Sequence, residues 1–200
     1  MWSSDPVRDR AEALALANRA AQLCQDHAPT LTAIGAAMTL AGHDPTIATR
    51  FIDRAIEIDP NNAWAWMRRG WAFTFDAQPD PALDAFDHAA LLSPLDPYRH
   101  NIVLGRAAAL YHWTDRKAEA VALIEECLTL NPGVVWAYRM LATAHYYHGD
   151  LKAAQEAGRK LMQHYLYVII DYLKNVLPIL ISRAYSEGYY DALHAVGIPL

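Results

Sequence analysis

The chain is expected to fold as an all-α solenoid of antiparallel helix pairs, and three observations predict it. Alanine and leucine dominate 200 residues that are 54% hydrophobic and 20% charged, while glycine is scarce and β-branched residues are thin before the last forty positions. That composition favours a globular helical chain. Ala48, Ala82, Ala120 and Ala154 recur at separations of 34, 38 and 34 residues. Pro60, Pro94 and Pro132 recur at 34 and 38, with the same four-residue insertion between the same two units. Two independent series that share an insertion mark an internal repeat, and a fixed period in this range is the signature of a stacked array.

The elements follow in order. Residues 1–28 form an N-terminal helix over 6–26, with Asp5 as cap and Pro6 in the first turn. Residues 29–62 form the first pair, with Ala36 as the small contact residue, then Ala48, Ile52, Ala55 and Pro60. Residues 63–96 are the clearest unit: Trp66-x-x-Arg69-Gly70-x-x-Phe73, then Ala82-x-x-x-Phe86, Ala89 and Pro94. Gly70 and Ala82 are small enough for two helices to approach closely. Phe73 and Phe86 fill the flanking space, and Pro94 separates one pair from the next. Arg69 stands where an apolar residue is usual, so it turns to solvent or to an acidic neighbour. Residues 97–134 carry the insertion, expected to lengthen the first helix or its turn near His112-Trp113-Thr114-Asp115, with Thr114 or Asp115 capping the next helix. Residues 135–168 give Tyr138, Leu141-Ala142, Ala154 and a helix stop with N-cap at Gly149-Asp150. Residues 169–200 form a terminal cap, with the preceding helix read over 166–177 and stopped by Pro178, and a last helix over 182–196 ended by Gly197 and Pro199.

The 63–96 unit resembles the tetratricopeptide (TPR) pattern, which asks for Trp, Leu-Gly, Tyr, Ala, Phe and Pro at these spacings. Ala63-Trp64-Ala65-Trp66 to Gly70-Trp71, Leu92-Ser93-Pro94-Leu95-Asp96-Pro97 and Ala195-Val196-Gly197-Ile198-Pro199 further resemble the C-terminal repeat region of bacterial class III adenylate/guanylate cyclase-like and winged-helix regulator proteins. The resemblance implies a right-handed superhelix whose first helices line a concave groove. It places Trp64, Met67, Trp71 and Phe75 in that groove, and Trp136, Arg139, Thr143, Tyr146 and Tyr147 in the last full unit; in the inserted unit, whose register is open, Arg99, Ile102 and Arg106 are chosen. Thr30, Ala33 and Ala37 occupy it in the first unit. The lysines and asparagines with which chaperone-tail binders of this family clamp a terminal carboxylate are replaced here by Ala33, Met67, Arg139, Ala37, Trp71 and Thr143. Binding of such tails is therefore not expected.

Other functions find little support. The net charge is −5 and the pI near 5.9, without the basic face of a nucleic-acid binder. No signal peptide is visible. The most apolar stretch, 161–181, carries Asp171, Lys174 and Pro178 and does not read as a membrane span. The reading is a cytoplasmic protein. Cys24 and Cys127 read as packed thiols rather than a disulfide. No phosphate loop, nucleophile elbow or zinc-protease motif is present, so no catalytic residue, cofactor or metal is assigned. His145 and His148 share a helix face but lack further ligands and read as aromatics beside Tyr146 and Tyr147.

The expected function is a non-catalytic scaffold binding a protein or peptide segment in an aromatic groove, since aromatics and arginine concentrate interface energy. Trp64, Trp71 and Trp136 differ in phase from the small contact residues. They face the groove, or lie under the C-terminal segment, or under a second copy. Two alternatives stand beside the scaffold: a homodimer through the apolar stretch 166–181, and a small-ligand-sensing module of a cyclase- or transcription-regulator-type system.

Overall fold

The computed structural model describes residues 5–42, 44–165, 170–176 and 183–199. Eleven helices and no strand occur among them: α1 Pro6–Leu23, α2 Ala28–Leu40, α3 Pro45–Ile58, α4 Ala63–Phe75, α5 Pro79–Leu92, α6 His100–Trp113, α7 Lys117–Leu130, α8 Ala137–His148, α9 Leu151–His164, α10 Ile170–Val176 and α11 Arg183–Ala195. Each of α2/α3, α4/α5, α6/α7 and α8/α9 is a packed pair, and each pair stacks on the next, as a helical solenoid requires. None of these helices is long and apolar enough to cross a membrane.

Local chemistry sets the helix starts. Asp5 accepts from the Arg8 N–H at 3.0 Å, Asn62 from Ala65 at 3.1 Å and Asp150 from Ala153 at 2.9 Å. Each satisfies a donor that the first turn leaves orphaned. Proline opens α1, α2, α3 and α5, where its missing N–H costs nothing. Gly149 takes φ +91° to end α8 before Asp150 restarts the chain.

The pairs close around small residues. A side chain on Gly35 would place its first carbon 2.7 Å from the Ala48 carbonyl, and one on Gly70 would lie 2.7 Å from the Phe86 ring. A side chain on Gly105 would overlap the same ring from the other side. Phe86, fully buried, is thus wedged between α4 of its own pair and α6 of the next. Gly35, Gly70 and Gly105 are spaced by 35 residues each, which corrects the first contact residue from Ala36 to Gly35.

Two further expectations need correction. The insertion does not lengthen the turn near His112–Asp115. Residues 93–99 join α5 to α6, whereas residues 59–62 suffice between α3 and α4; α6 itself is only one residue longer than α4. Pro94 and Pro97 keep this connection out of helix, and Asp96 accepts from the Tyr98 N–H at 2.7 Å to turn it. Nor do Thr114 or Asp115 cap α7. Its cap position is Arg116, which makes no side-chain bond to the first-turn N–H groups, while Thr114 Oγ1 is engaged in the turn, donating to the Leu110 carbonyl and accepting from the Arg116 N–H.

The chain then folds back. α11 packs on α8, and α10 lies against both α11 and α1. The Ile170 N–H donates to the Pro199 carbonyl at 2.8 Å, tying the start of α10 to the chain end. Ile170, Leu173, Tyr189, Leu193, Val196 and Ile198 are buried in one core with Leu104, Leu110, Met140 and Leu161.

Candidate functional site: the face of the first helices

Trp64, Trp71 and Phe75 lie seven and four residues apart along α4 and share one face. Trp64 is 42% exposed. Trp71 stacks on Phe75 with ring centroids 5.5 Å apart and meets Phe86 edge-on at 5.9 Å, so one edge of it belongs to the core. Met67 is half-buried against the Phe86 cluster. Arg68 falls on the same face, four residues after Trp64 and three before Trp71. Burial pulls its guanidinium down to about 10, and its Nε has no hydrogen-bond partner. Sequence reasoning passed over Arg68, although the spacing from Trp64 would have found it.

Arg69 turns instead to an acidic neighbour. Its Nε lies 2.8 Å from Asp53 of α3, and its guanidinium covers Trp66 and Phe73, 5.5 and 5.1 Å from their centroids. The Trp66 indole donates to the Pro60 carbonyl at 2.8 Å, which makes it a joint between units.

In the third pair Arg99 is exposed at the start of α6 and Ile102 is buried in the Phe86 cluster. Arg106 pairs with Asp87 of α5, so its charge is already spoken for within the chain. In the fourth pair Trp136 is half-buried at the start of α8, and Arg139 lies with its guanidinium 5.8 Å from the Tyr189 ring centroid. Thr143 is fully buried, Tyr146 and Tyr147 are half-buried and meet edge-on at 5.7 Å, and a side chain on Gly188 would lie 3.2 Å from the Tyr147 hydroxyl. Arg139 and Tyr147 of α8 thus meet the returning α11, whereas Ile102 of α6 joins Met67 and Trp71 of α4 around Phe86.

Around Arg139 the side chains are polar but enclosed. The Tyr111 hydroxyl bonds Thr143, and Tyr189 is 6.4 Å from His112 between ring centroids. Burial raises the phenols of Tyr111 and Tyr189 well above their usual range. Burial, then Arg139 and Lys117, hold His112 well below its own. The Arg139 Nε has no hydrogen-bond partner.

His145 is buried with its Nε2 3.7 Å from Glu125, whereas His148 is exposed. Among the described residues no three His, Cys, Asp or Glu gather as metal ligands. Both cysteines are free thiols. Of the apolar stretch 166–181, residues 166–169 and 177–181 lie outside the described residues. Ile170 and Leu173 are buried in the chain's own core rather than presented to a second copy.

No family model and no curated protein matches the chain. Solved structures do. PilW, described as a widely conserved type IV pilus biogenesis factor, superposes with a TM-score of 0.69 at 18% identity, over 91% of this chain and 83% of that one. MamA from Desulfovibrio magneticus RS-1 gives 0.58 at 21% identity, over 77% and 84%. YrrB, described as a TPR protein with an unusual peptide-binding site, gives 0.52 at 15% identity, over 90% of each chain. At such identities the likeness speaks for the fold, and the fold it shows is the TPR-like helical solenoid.

Proposed function

We propose that the chain is a non-catalytic interaction scaffold, in which the four pairs 29–62, 63–96, 97–134 and 135–168 act as one cytoplasmic solenoid. Its α4 face receives a peptide segment of another protein. The observation that carries this reading is the aromatic stripe itself: an indole 42% exposed at Trp64, continuous with half-buried Trp71 and Phe75 on a helix otherwise committed to packing. Large aromatics in this setting are the usual anchors of binding energy. YrrB, which shares the fold, is described as binding a peptide.

The test is affinity capture followed by measured affinity for the captured protein, comparing the intact chain with Trp64→Ala/Phe75→Ala. The double substitution is expected to weaken binding about tenfold or more, in line with loss of two anchors. Equal affinity with unchanged helicity would sink the α4 assignment. The regulatory alternatives make different predictions: self-association would raise the scattering mass with concentration, and a small-ligand sensor would gain thermal stability with a metabolite in the absence of any protein.

A further inference from the structure

Charge is divided between the two layers of the solenoid. The first helices of the pairs, α2, α4, α6 and α8, carry Arg68, Arg69, Arg106 and Arg139 and neither Asp nor Glu. Every carboxylate of the paired helices lies on a second helix, α3, α5, α7 or α9. Two of the four arginines are neutralised across the layers, Arg69 by Asp53 and Arg106 by Asp87. Arg139 faces the Tyr189 ring of α11. Arg68 has no such neighbour among the described residues. Its Nε is sealed from water without a hydrogen-bond partner, whereas its two terminal nitrogens, also unbonded, are not sealed with it. The Nε is thus set into the α4 face, and the forked end stays open on the side shared with Trp64 and Trp71. With a pKa of about 10 the group still carries its charge at neutral pH. A partly enclosed cation without a counter-charge costs free energy that an incoming anion would recover.

We propose that the segment received by the α4 face is acidic: the carboxylate of an internal Asp or Glu pairs with the open fork of Arg68, while apolar side chains beside it in the peptide lie against Trp64 and Phe75. The inference rests on the reading of α4 as a peptide site and names the class of peptide it takes. A guanidinium fork matches a carboxylate with two parallel hydrogen bonds, which a neutral side chain cannot return. The first helices offer no carboxylate of their own to compete for Arg68 or to repel the arriving acid. A basic segment would bring like charge to the same place and is disfavoured. A long polyanion is also a poorer match, because the chain as a whole has a net charge of −5 and the second layer around the site holds the carboxylates.

The test uses the full chain, immobilised, and a library of short synthetic peptides in which Glu, Gln, Lys, Leu, Phe and Ser are equally frequent. The peptides are amidated at the C-terminus, so that side chains supply every carboxylate. Those retained by the unaltered chain but not by Trp64→Ala/Phe75→Ala are sequenced. They are expected to be enriched in Glu over Gln, with Leu or Phe nearby. Replacing Glu by Gln in the tightest of them should weaken binding to the unaltered chain at least about tenfold, and Arg68→Gln should bring the two versions to equal affinity. Arg68→Lys should restore part of the preference, since it restores the charge without the fork. Peptides that depend on Trp64 and Phe75 but show no Glu enrichment would overturn the acidic assignment and leave α4 a peptide site. A Glu preference that survives Arg68→Gln would do the same. No peptide that depends on Trp64 and Phe75 would overturn both readings together. If Arg68→Gln loses helicity, Arg68→Lys takes its place, and a Glu preference undiminished there would overturn the proposal.

Discussion

The same repeat position meets two different fates in this molecule. At the start of the first helix of a pair it holds Trp64 in α4, 42% exposed, and Trp136 before α8, half-buried against the terminal core. At the next position but one along the stripe it holds Trp71, partly open, and Thr143, fully enclosed. Each helix carries a small buried residue at the equivalent place, Gly70 in α4 and Ala142 in α8. What differs is the cover. α11 packs on α8, whereas the helices packed on α4 are α2, α3, α5 and α6. Repeat grammar therefore specifies which side chains point away from the pair contact, but not whether they meet water.

That contrast can be broken at its most rigid point. Phe86→Ala should cost about 3–5 kcal/mol, because a fully buried ring between two glycines leaves a cavity its neighbours cannot fill. Chemical denaturation would measure it. The loss should be felt in both halves, since the ring touches both pairs. A small loss confined to α4 and α5 would show that the halves are uncoupled.

Titration sharpens the comparison. Burial raises the phenols of Tyr111, Tyr147, Tyr189 and Tyr190, all in the C-terminal half. A phenol whose folded pKa is raised contributes stability that is present below the unfolded value near 10 and is lost as pH rises above it. His112 has its pKa depressed, so its contribution is present above about 6.5 and is lost as pH falls below that. The C-terminal half should therefore be most stable between about pH 6.5 and 10. Each group should add a slope of up to about 1.4 kcal/mol per pH unit outside that window. Hydrogen exchange at α11 and at α4 across pH would check this; parallel protection in both helices would refute it.

Asp150→Ala should cost about 1 kcal/mol by removing the cap of α9, and it should act on the C-terminal half alone. Thermal denaturation would read it. Smallest of all, Trp64→Ala should change stability by no more than about 0.5 kcal/mol, since the residue is 42% exposed. A larger loss would mean that Trp64 is structural and the α4 stripe is not a free surface.

The helix pairs were legible because their signals are local. Asp5, Asn62, Gly149 and Asp150 act within a turn of their own position, and the alanine and proline series repeat in one dimension. The place of the insertion was less legible, because length alone does not say which connection absorbs it. The proline pair at 94 and 97 was the overlooked clue. The Gly35–Gly70–Gly105 series was available too, but Ala36 is also small and buried, and spacing counted from the prolines gave 34 rather than 35. The site was legible as a set of side chains and not as a surface. Nothing near Arg139 in sequence announces that Tyr189, fifty residues on, will lie across it. That depends on how the chain returns, which is a tertiary matter.

The Phe86 wedge has a consequence for how force and heat pass through the chain. In a stacked array, stability is a sum of unit terms and nearest-neighbour coupling terms, and the balance decides whether units melt singly or together. A ring seated in notches on both α4 and α6 contributes to the second unit itself and, through α6, to the coupling term between the second and third units. The joint that carries the longest connection, residues 93–99, is thus also bolted from within. The extra residues lengthen the seam without loosening it, and the two middle units should melt as one cooperative block.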